Sequence, residues 1–401
     1  MTEHPGADIA PDAGRKLRVT FVGHVGQLSG GEIALARLIA ALDEVDAHVI
    51  LAEDGPVVAQ LIRAGASVEV LPLLERTRGL RKDRVGVGLA FPISVADVGV
   101  YVVRLARRLR ALDPDIVHTN TLKAGIYGSL AARVASVPVV WHVRDRIASD
   151  YLSRPAVALL RFLVAVLPNG VAVNSEATGQ TLWRRPRRYA LVRDPVERHD
   201  PPGDGEPGEP FTVGMVGRIA PWKGQHVFIQ AFARAFAGGT ERAAIVGAAM
   251  FGGTEERYGT ELREMSAALS IADRVEFRGF REDVWAELAR MDLFVHASVT
   301  TEPFGQVIVE AMHAGVPVIA SAGGGPSEIV TNGVDGLLYP PGDIDALVEA
   351  LRRLRDDAPL RRQLAGNARH RAEQFSPRAS ASSLMALYAQ VLGRTTTIVT
   401  P

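Results

Sequence analysis

Four side chains in the second half of the chain have the types and spacing to hold a charged, hydroxyl-rich molecule. Arg218 and Lys223 share the segment GRIAPWKG, residues 217–224, and Glu302 and Glu310 stand eight residues apart in TTEPFGQVIVE. The two cations follow a β-branched run and so fall on the loop at a strand's carboxyl end, where they can neutralise a diphosphate. A carboxylate accepts two hydrogen bonds from a vicinal diol, which suits a pair of acids to a ribose and a hexose better than to bare phosphate. The run 306–314 reads as a helix beginning near Pro303-Phe304-Gly305. Glu302 and the amides of Phe304, Gly305 and Gln306 then gather at a helix N-terminus, which favours anions and hydroxyls, with Glu310 two turns along. A plainer reading stands beside this one: two cations scattered on a surface loop, Glu302 as a helix cap and Glu310 as a surface residue.

Glycine turns raise a second chemistry. In LSGGE, residues 28–32, Gly26 to Gly31 fit the first half of a phosphate-binding loop, but Glu32 and Ile33 follow where Lys and Ser/Thr are needed to reach phosphate and magnesium. No complete motif of that kind occurs elsewhere, which excludes a cassette ATPase. Gly30 and Gly31 then either let backbone come close to a ligand, with Glu32 beginning a helix, or form a plain strand-to-helix turn. Gly323-Gly324-Gly325-Pro326 is expected to let a ligand approach the main chain.

The elements that must position these residues alternate, short β-branched runs with longer amphipathic ones, the pattern of βαβ units and parallel sheets. Strands are expected at 17–22, 47–52, 67–71, 115–119, 138–142, 171–174 and 190–193, and again at 211–217, 243–247, 274–278, 292–296, 316–320 and 336–339. A Pro/Gly-rich stretch, 197–210, separates the two series and reads as a linker. The expected organisation is α/β: a doubly wound domain over 1–196, a second over 211–376, and a shared cleft at the carboxyl ends of both sheets. The segment 377–401 carries a last apolar helix near 378–392, which its position would allow to cross back onto the first domain.

Composition narrows the function classes. The 401 residues, 47% hydrophobic and 22% charged with formal net charge +0, describe globular domains and give no whole-molecule field for nucleic acid. The absence of cysteine removes thiolate chemistry and cysteine-held metal. The first 16 residues lack the apolar core of a secretory signal, so a cytoplasmic location is expected. The most lipid-like stretch, 155–173, is interrupted by Arg161 and by Pro168-Asn169-Gly170, and reads as a buried helix over 155–167 followed by a turn and a strand. Charge is uneven: 104–193 holds fifteen Lys/Arg against five acids, either a solvated face or an attraction to an anionic membrane surface or acidic acceptor. Asp113-Pro114-Asp115 has the letters of a metal-holding D-x-D but precedes its strand, so neither a metal nor a cofactor is expected.

With these segments together, the chain resembles the family 4 glycosyltransferases, retaining enzymes of the GT-B fold, in which two Rossmann-like domains face a cleft. The resemblance runs through SGG at 29–31, DIVHT at 115–119, VVWH at 139–142, VNSE at 173–176, GRIAPWKG at 217–224, FRGF at 277–280 and the block 302–320 with its E-x7-E. It implies a nucleotide-diphosphate sugar as donor, UDP-linked before GDP-linked, and a glycan, lipid or small natural product as acceptor. By the same resemblance Arg218 and Lys223 grip the departing diphosphate, Glu310 binds the ribose, and Glu302 with the Phe304 and Gly305 amides holds the transferred sugar, Gln306 beside them. Gly279, Phe280 and Arg281 fall where the base lies, Gly30 and Gly31 face the donor phosphate, and Gly31, His142 and Arg144 face the acceptor, His142 beside the sugar. His118, ending a buried strand, is read as a structural group, and His24, at the end of the first strand, as structural or functional alike.

No carboxylate is placed as a nucleophile, Asp145 being a weak candidate, so the expected catalysis is electrostatic stabilisation of the leaving diphosphate. Two rivals share the architecture: a non-hydrolysing nucleotide-sugar epimerase, which would act without an acceptor, and a sugar-nucleotide or glycan-binding module without turnover.

Overall fold

A computed structural model describes residues 15–73, 95–150, 152–198, 209–250 and 252–393. Most of the expected linker, 199–208, lies outside the described residues. Among the described residues, thirteen strands form two all-parallel sheets. The first holds β1 (Leu17–Gly23), β2 (Val45–Leu51), β3 (Ser67–Val70), β4 (Ile116–Thr119), β5 (Val139–Val143), β6 (Gly170–Val173) and β7 (Tyr189–Leu191). The second holds β8 (Thr212–Val216), β9 (Arg242–Val246), β10 (Val275–Gly279), β11 (Leu293–His296), β12 (Val318–Ser321) and β13 (Leu337–Tyr339). Every expected strand is present, each end within two residues of its expected position. The orders are β3-β2-β1-β4-β5-β6-β7 and β10-β9-β8-β11-β12-β13, so the direction of winding reverses between β1 and β4 and between β8 and β11. In open sheets of this kind ligands bind at those two reversals.

Helices cover both faces of each sheet, which is why the central strands read as unbroken apolar runs; β5, β6, β11 and β12 are buried along their whole lengths. On one side of the first sheet, Gly30–Ala40 and Val57–Arg63 pack with the last helix, Pro377–Leu392. Leu384, Leu387, Tyr388 and Val391 of that helix lie in one buried cluster with Leu17, Val19, Phe21 and Val49. The chain is routed there by Ser376-Pro377: the serine hydroxyl caps the amide of Ala379 and proline fixes the first turn. Each of those side chains contributes about 1.5–3 kcal/mol when fully buried.

The other side of the first sheet carries Val95–Leu112, Leu122–Ala135 and Arg154–Val166. The last of these departs from expectation. Only Val157, Leu160 and Val164 are buried, whereas Leu159, Phe162 and Val166 face outward, so the helix is amphipathic rather than buried all round. Asp113 and Asp115 are structural: Asp115 pairs with Arg15 at 2.7 Å and accepts the Arg18 amide at 2.8 Å, and Asp113 pairs with Arg18 at 2.8 Å.

Between the last helix and the sheet, the Tyr388 hydroxyl meets His118 Nδ1 at 2.9 Å, and the His118 and His142 rings stack edge to face 5.3 Å apart. Burial, with the Arg144 charge, lowers His118 to about 3 and carries His142 well below its ordinary value, so both are neutral in the folded protein. The unfolded chain protonates them near 6.5 and so binds more protons below that pH; their contribution is complete above it and is lost as the pH falls, for His118 toward 3. We expect stability to drop by about 1.4 kcal/mol per pH unit for each histidine on acidification below about 6. Melting temperature measured against pH checks this: His118→Gln, which keeps a polar group opposite Tyr388 but cannot titrate, should flatten the decline, and an unchanged slope removes His118 as its source.

Candidate active site

The winding reversal of the second sheet assembles the first part of the site. After β8 the chain turns through Arg218 into a short 3-10 turn, Pro221–Lys223; after β11 it loops through 297–305 into the helix Gln306–His313. The two loops bring Lys223 Nζ to 3.0 and 2.9 Å from the two carboxylate oxygens of Glu302. Ser298 donates to the same carboxylate at 2.8 Å, and His296 Nε2 lies 3.5 Å from it. Burial would raise this carboxyl, but Lys223 first and His296 with it outweigh that effect and hold Glu302 well below the usual carboxylate range. The result is an anion at neutral pH with a cation locked against it. The Lys223 ammonium also lies 4.3 Å from the centre of the Trp222 ring, and the Arg218 guanidinium 5.5 Å from that ring. Arg218 meets Glu255 at 3.3 Å.

Gly305 explains how the loop enters the helix at this point. Its φ of 106° is open to glycine and strained for other residues, and it occupies the cap position without any side-chain cap, so Glu302 does not cap this helix. The Phe304 ring is core, packed against Phe375 at 5.8 Å. Glu310 is buried rather than on the surface, and it pairs across the cleft with Arg37 at 2.9 Å. Two of the three glycines at 323–325 correct an expectation: what approaches Gly324 and Gly325 is the protein itself, whereas a Cβ on Gly323 would meet open space. A Cβ on Gly324 would stand 2.2 Å from the Glu302 carbonyl oxygen, and one on Gly325 2.0 Å from that of Phe304. The lack of side chains at Gly324 and Gly325 lets the loop after β12 lie flat against the 302–304 segment and hold it in place.

The first domain closes on this site with Gly30 and Gly31, which begin the helix Gly30–Ala40; the helix thus starts two residues before Glu32, whose carboxylate folds back onto the Ser29 hydroxyl. Gln306 donates to the Gly30 carbonyl at 2.8 Å and to Asp194 at 3.3 Å, and a Cβ on Gly30 would come within 3.3 Å of that amide. Behind Gly31 sits a buried polar cluster. Arg144 donates through Nε to Asn120 at 2.8 Å and through Nη1 to Asp194, while Nη2 is buried with no hydrogen-bond partner. Asn120 in turn holds the Gly31 carbonyl at 3.2 Å. His142 stands differently from its expected place beside the sugar. It is 0% exposed, its Nε2 meets the Val192 carbonyl at 3.3 Å, and it lies behind Arg144, so here it supports the wall of the cleft instead of forming it.

Gly279 ends β10 with φ 70° and open space where a Cβ would point; its carbonyl receives the Gly247 amide at 2.8 Å. Phe280 beside it is 52% exposed, a bare ring at the end of an edge strand, and Arg281 pairs with Glu287 at 3.3 Å. His24 meets Thr121 at 2.8 Å.

Arg37, Asp194 and Glu255 belong to the site and were not singled out from sequence. The partner of Arg37 is 273 residues away and that of Asp194 in the second domain 112 away, so no local pattern marks them. Glu255 opens the helix Gly253–Ala268 and resembles any acid in a first helical turn.

With this geometry in hand, comparison with known proteins is informative. The family described as Glycosyl transferase 4-like domain matches residues 29–202, and Glycosyl transferases group 1 matches 197–371. The chain is 31% identical over 344 residues to a GDP-mannose-dependent alpha-mannosyltransferase of Mycobacterium tuberculosis, covering 80% of this chain and 84% of that one. It is 28% identical over 378 residues to a D-inositol 3-phosphate glycosyltransferase of Stackebrandtia nassauensis, covering 86% and 85%. Among solved structures, Anabaena HepE in complex with UDP-glucose superposes with a TM-score of 0.80 at 27% identity, over 93% of this chain and all of that one. The two facing Rossmann-like sheets are the GT-B fold, and the chain belongs to the family 4 glycosyltransferases.

Proposed function

We propose that this glycosyltransferase moves a hexosyl group, with retention and without a metal ion, from a nucleotide-diphosphate sugar to a hydroxyl of a glycan, lipid or small natural product. The observation that carries the reading is the contact of Lys223 with both oxygens of Glu302, beside Arg218, at the winding reversal of the second sheet. In the proposed reaction the bond between the anomeric carbon and the diphosphate oxygen breaks and its electron pair leaves with the diphosphate. Lys223 and Arg218 offset the charge that builds there; preorganised cations act most strongly where water is excluded. The acceptor oxygen bonds to the anomeric carbon on the same face, and its proton passes to the leaving phosphate oxygen. Glu302 holds the sugar hydroxyls and keeps Lys223 aimed. Glu310 holds the ribose, and Gly279, Phe280 and Arg281 receive the base.

UDP-linked donors are the first choice: HepE binds UDP-glucose, although the mycobacterial relative is GDP-mannose-dependent. A thermal-shift panel of UDP- and GDP-sugars tests the reading. A ligand at a hundred times its dissociation constant adds about 2.7 kcal/mol, which the melting point of the true donor will show. Acceptor-dependent release of the nucleotide must follow for that donor; conversion of the free donor without acceptor, or binding with no turnover, defeats the proposal.

A further inference from the structure

Seven of the eleven large apolar side chains exposed among the described residues lie on one part of the first domain: Val100, Val103, Val134, Leu159, Phe162, Val166 and Trp183. The three helices that carry the first six pack side by side. Arg110 donates to the Val134 carbonyl, and Arg133 donates to the carbonyls of Val166 and Leu167 at 3.0 and 2.8 Å, so the outward faces form one surface. On Arg154–Val166 the exposed residues recur at 159, 162 and 166, a single stripe; on Val95–Leu112 the stripe is Val100, Val103, Arg107, Arg110. Exposed cations frame it: Arg107, Arg110, Arg133 and Arg154 on the helices, and Arg184, Arg185 and Arg187 beside Trp183. The acids on those three helices and in 182–188 reduce to Asp97.

An apolar stripe framed by arginine in a protein of zero net charge matches the two attractions of an anionic bilayer: acyl chains for Leu159, Phe162 and Trp183, and headgroups for the guanidinium groups. Trp183 adds an amphipathic ring suited to the headgroup level. A hollow of about 320 Å³ lies within the patch, lined by Ser149, Arg154, Val157, Arg161 and Trp183. Ser149 belongs to the segment that leaves β5 after Arg144, and Arg161 donates to the Ile147 carbonyl of that segment at 3.1 Å. The patch therefore reaches the first-domain side of the cleft.

We infer that the face formed by Val95–Leu112, Leu122–Ala135, Arg154–Val166 and Trp183 docks the protein on an anionic lipid surface. No helix among the described residues is long and apolar enough to cross a membrane, so the contact is interfacial. It sets the mouth of the cleft beside the bilayer, where a lipid-borne acceptor would be presented. The docking itself does not depend on the acceptor proposed above.

The test is co-sedimentation of the full chain with vesicles of phosphatidylcholine alone and of equal parts phosphatidylcholine and phosphatidylglycerol. The expected result is binding to the mixed vesicles only, weakened by added salt. Arg184→Gln with Arg187→Gln should weaken it about 25-fold, at about fivefold per charge. Leu159→Ser with Phe162→Ser should weaken it by about tenfold or more. These side chains are on the surface, and unchanged melting temperatures and donor shifts in the variants confirm that fold and donor site are intact. Equal binding to both vesicles, no binding to either, or variants that bind like the wild type overturn the inference. So does a wild-type dimer that the Leu159/Phe162 variant converts to monomer, which would make the face a contact between copies of the chain. A failure here with intact donor binding and transfer leaves the proposed reaction standing.

Discussion

Lys223→Ala is expected to lower kcat about a thousandfold while the protein still folds. The magnitude follows from removing one preorganised group that stabilises charge on the leaving oxygen. The same side chain holds Glu302, and removing one partner of a buried pair costs about 3–5 kcal/mol of stability, so loss of activity and loss of fold must be separated. Lys223→Ala combined with Glu302→Gln does this, because the uncompensated buried anion is then gone. The double variant should regain most of the lost stability by thermal melting and none of the lost turnover. Recovery of turnover along with stability would reduce Lys223 to a structural counter-ion of Glu302.

Glu310→Ala should raise the donor KM about 10- to 100-fold, the range expected for hydrogen bonds to a charged group, and leave the acceptor KM nearly unchanged. The pairing of Glu310 with Arg37 adds a second, opposite expectation. If ribose hydroxyls take the Glu310 carboxylate, Arg37 must let go of it, and the ion pair competes with the donor. Arg37→Ala should therefore lower the donor KM severalfold, the reverse of Glu310→Ala. Steady-state kinetics with donor and acceptor varied in turn decide both. Equal rises in the two KM values for Glu310→Ala, or a higher donor KM for Arg37→Ala, would count against ribose at this position.

How much of this was legible in the sequence depends on whether the signal is local. Strands such as β5 and β11 are buried on both faces, so composition alone marks them, and all thirteen are found where the apolar runs stand. The loop cations and the acids at 302 and 310 are likewise visible, because strand-to-loop and loop-to-helix transitions leave Pro and Gly beside them. What joins them is not local. Lys223 meets Glu302 only once β11 is laid beside β8, and Arg37 meets Glu310 only once the two domains close. The burial of His142 is invisible for the same reason: it depends on Val192 and on His118, itself held by Tyr388 of a helix from the far end of the chain. The outward face of Arg154–Val166 was missed because an apolar run is equally apolar on both sides, and only the sheet decides which side it covers.

That far-end helix has a consequence for how the polypeptide matures. Tyr388 reaches His118 across 270 positions, and Leu384, Leu387 and Val391 complete a core whose other half is made of residues near 17–61. Contacts so distant along the chain close slowly. On the ribosome the domain synthesised first has to wait with part of one side of its sheet uncovered, beyond what Gly30–Ala40 and Val57–Arg63 already shield, until residues 377–392 emerge.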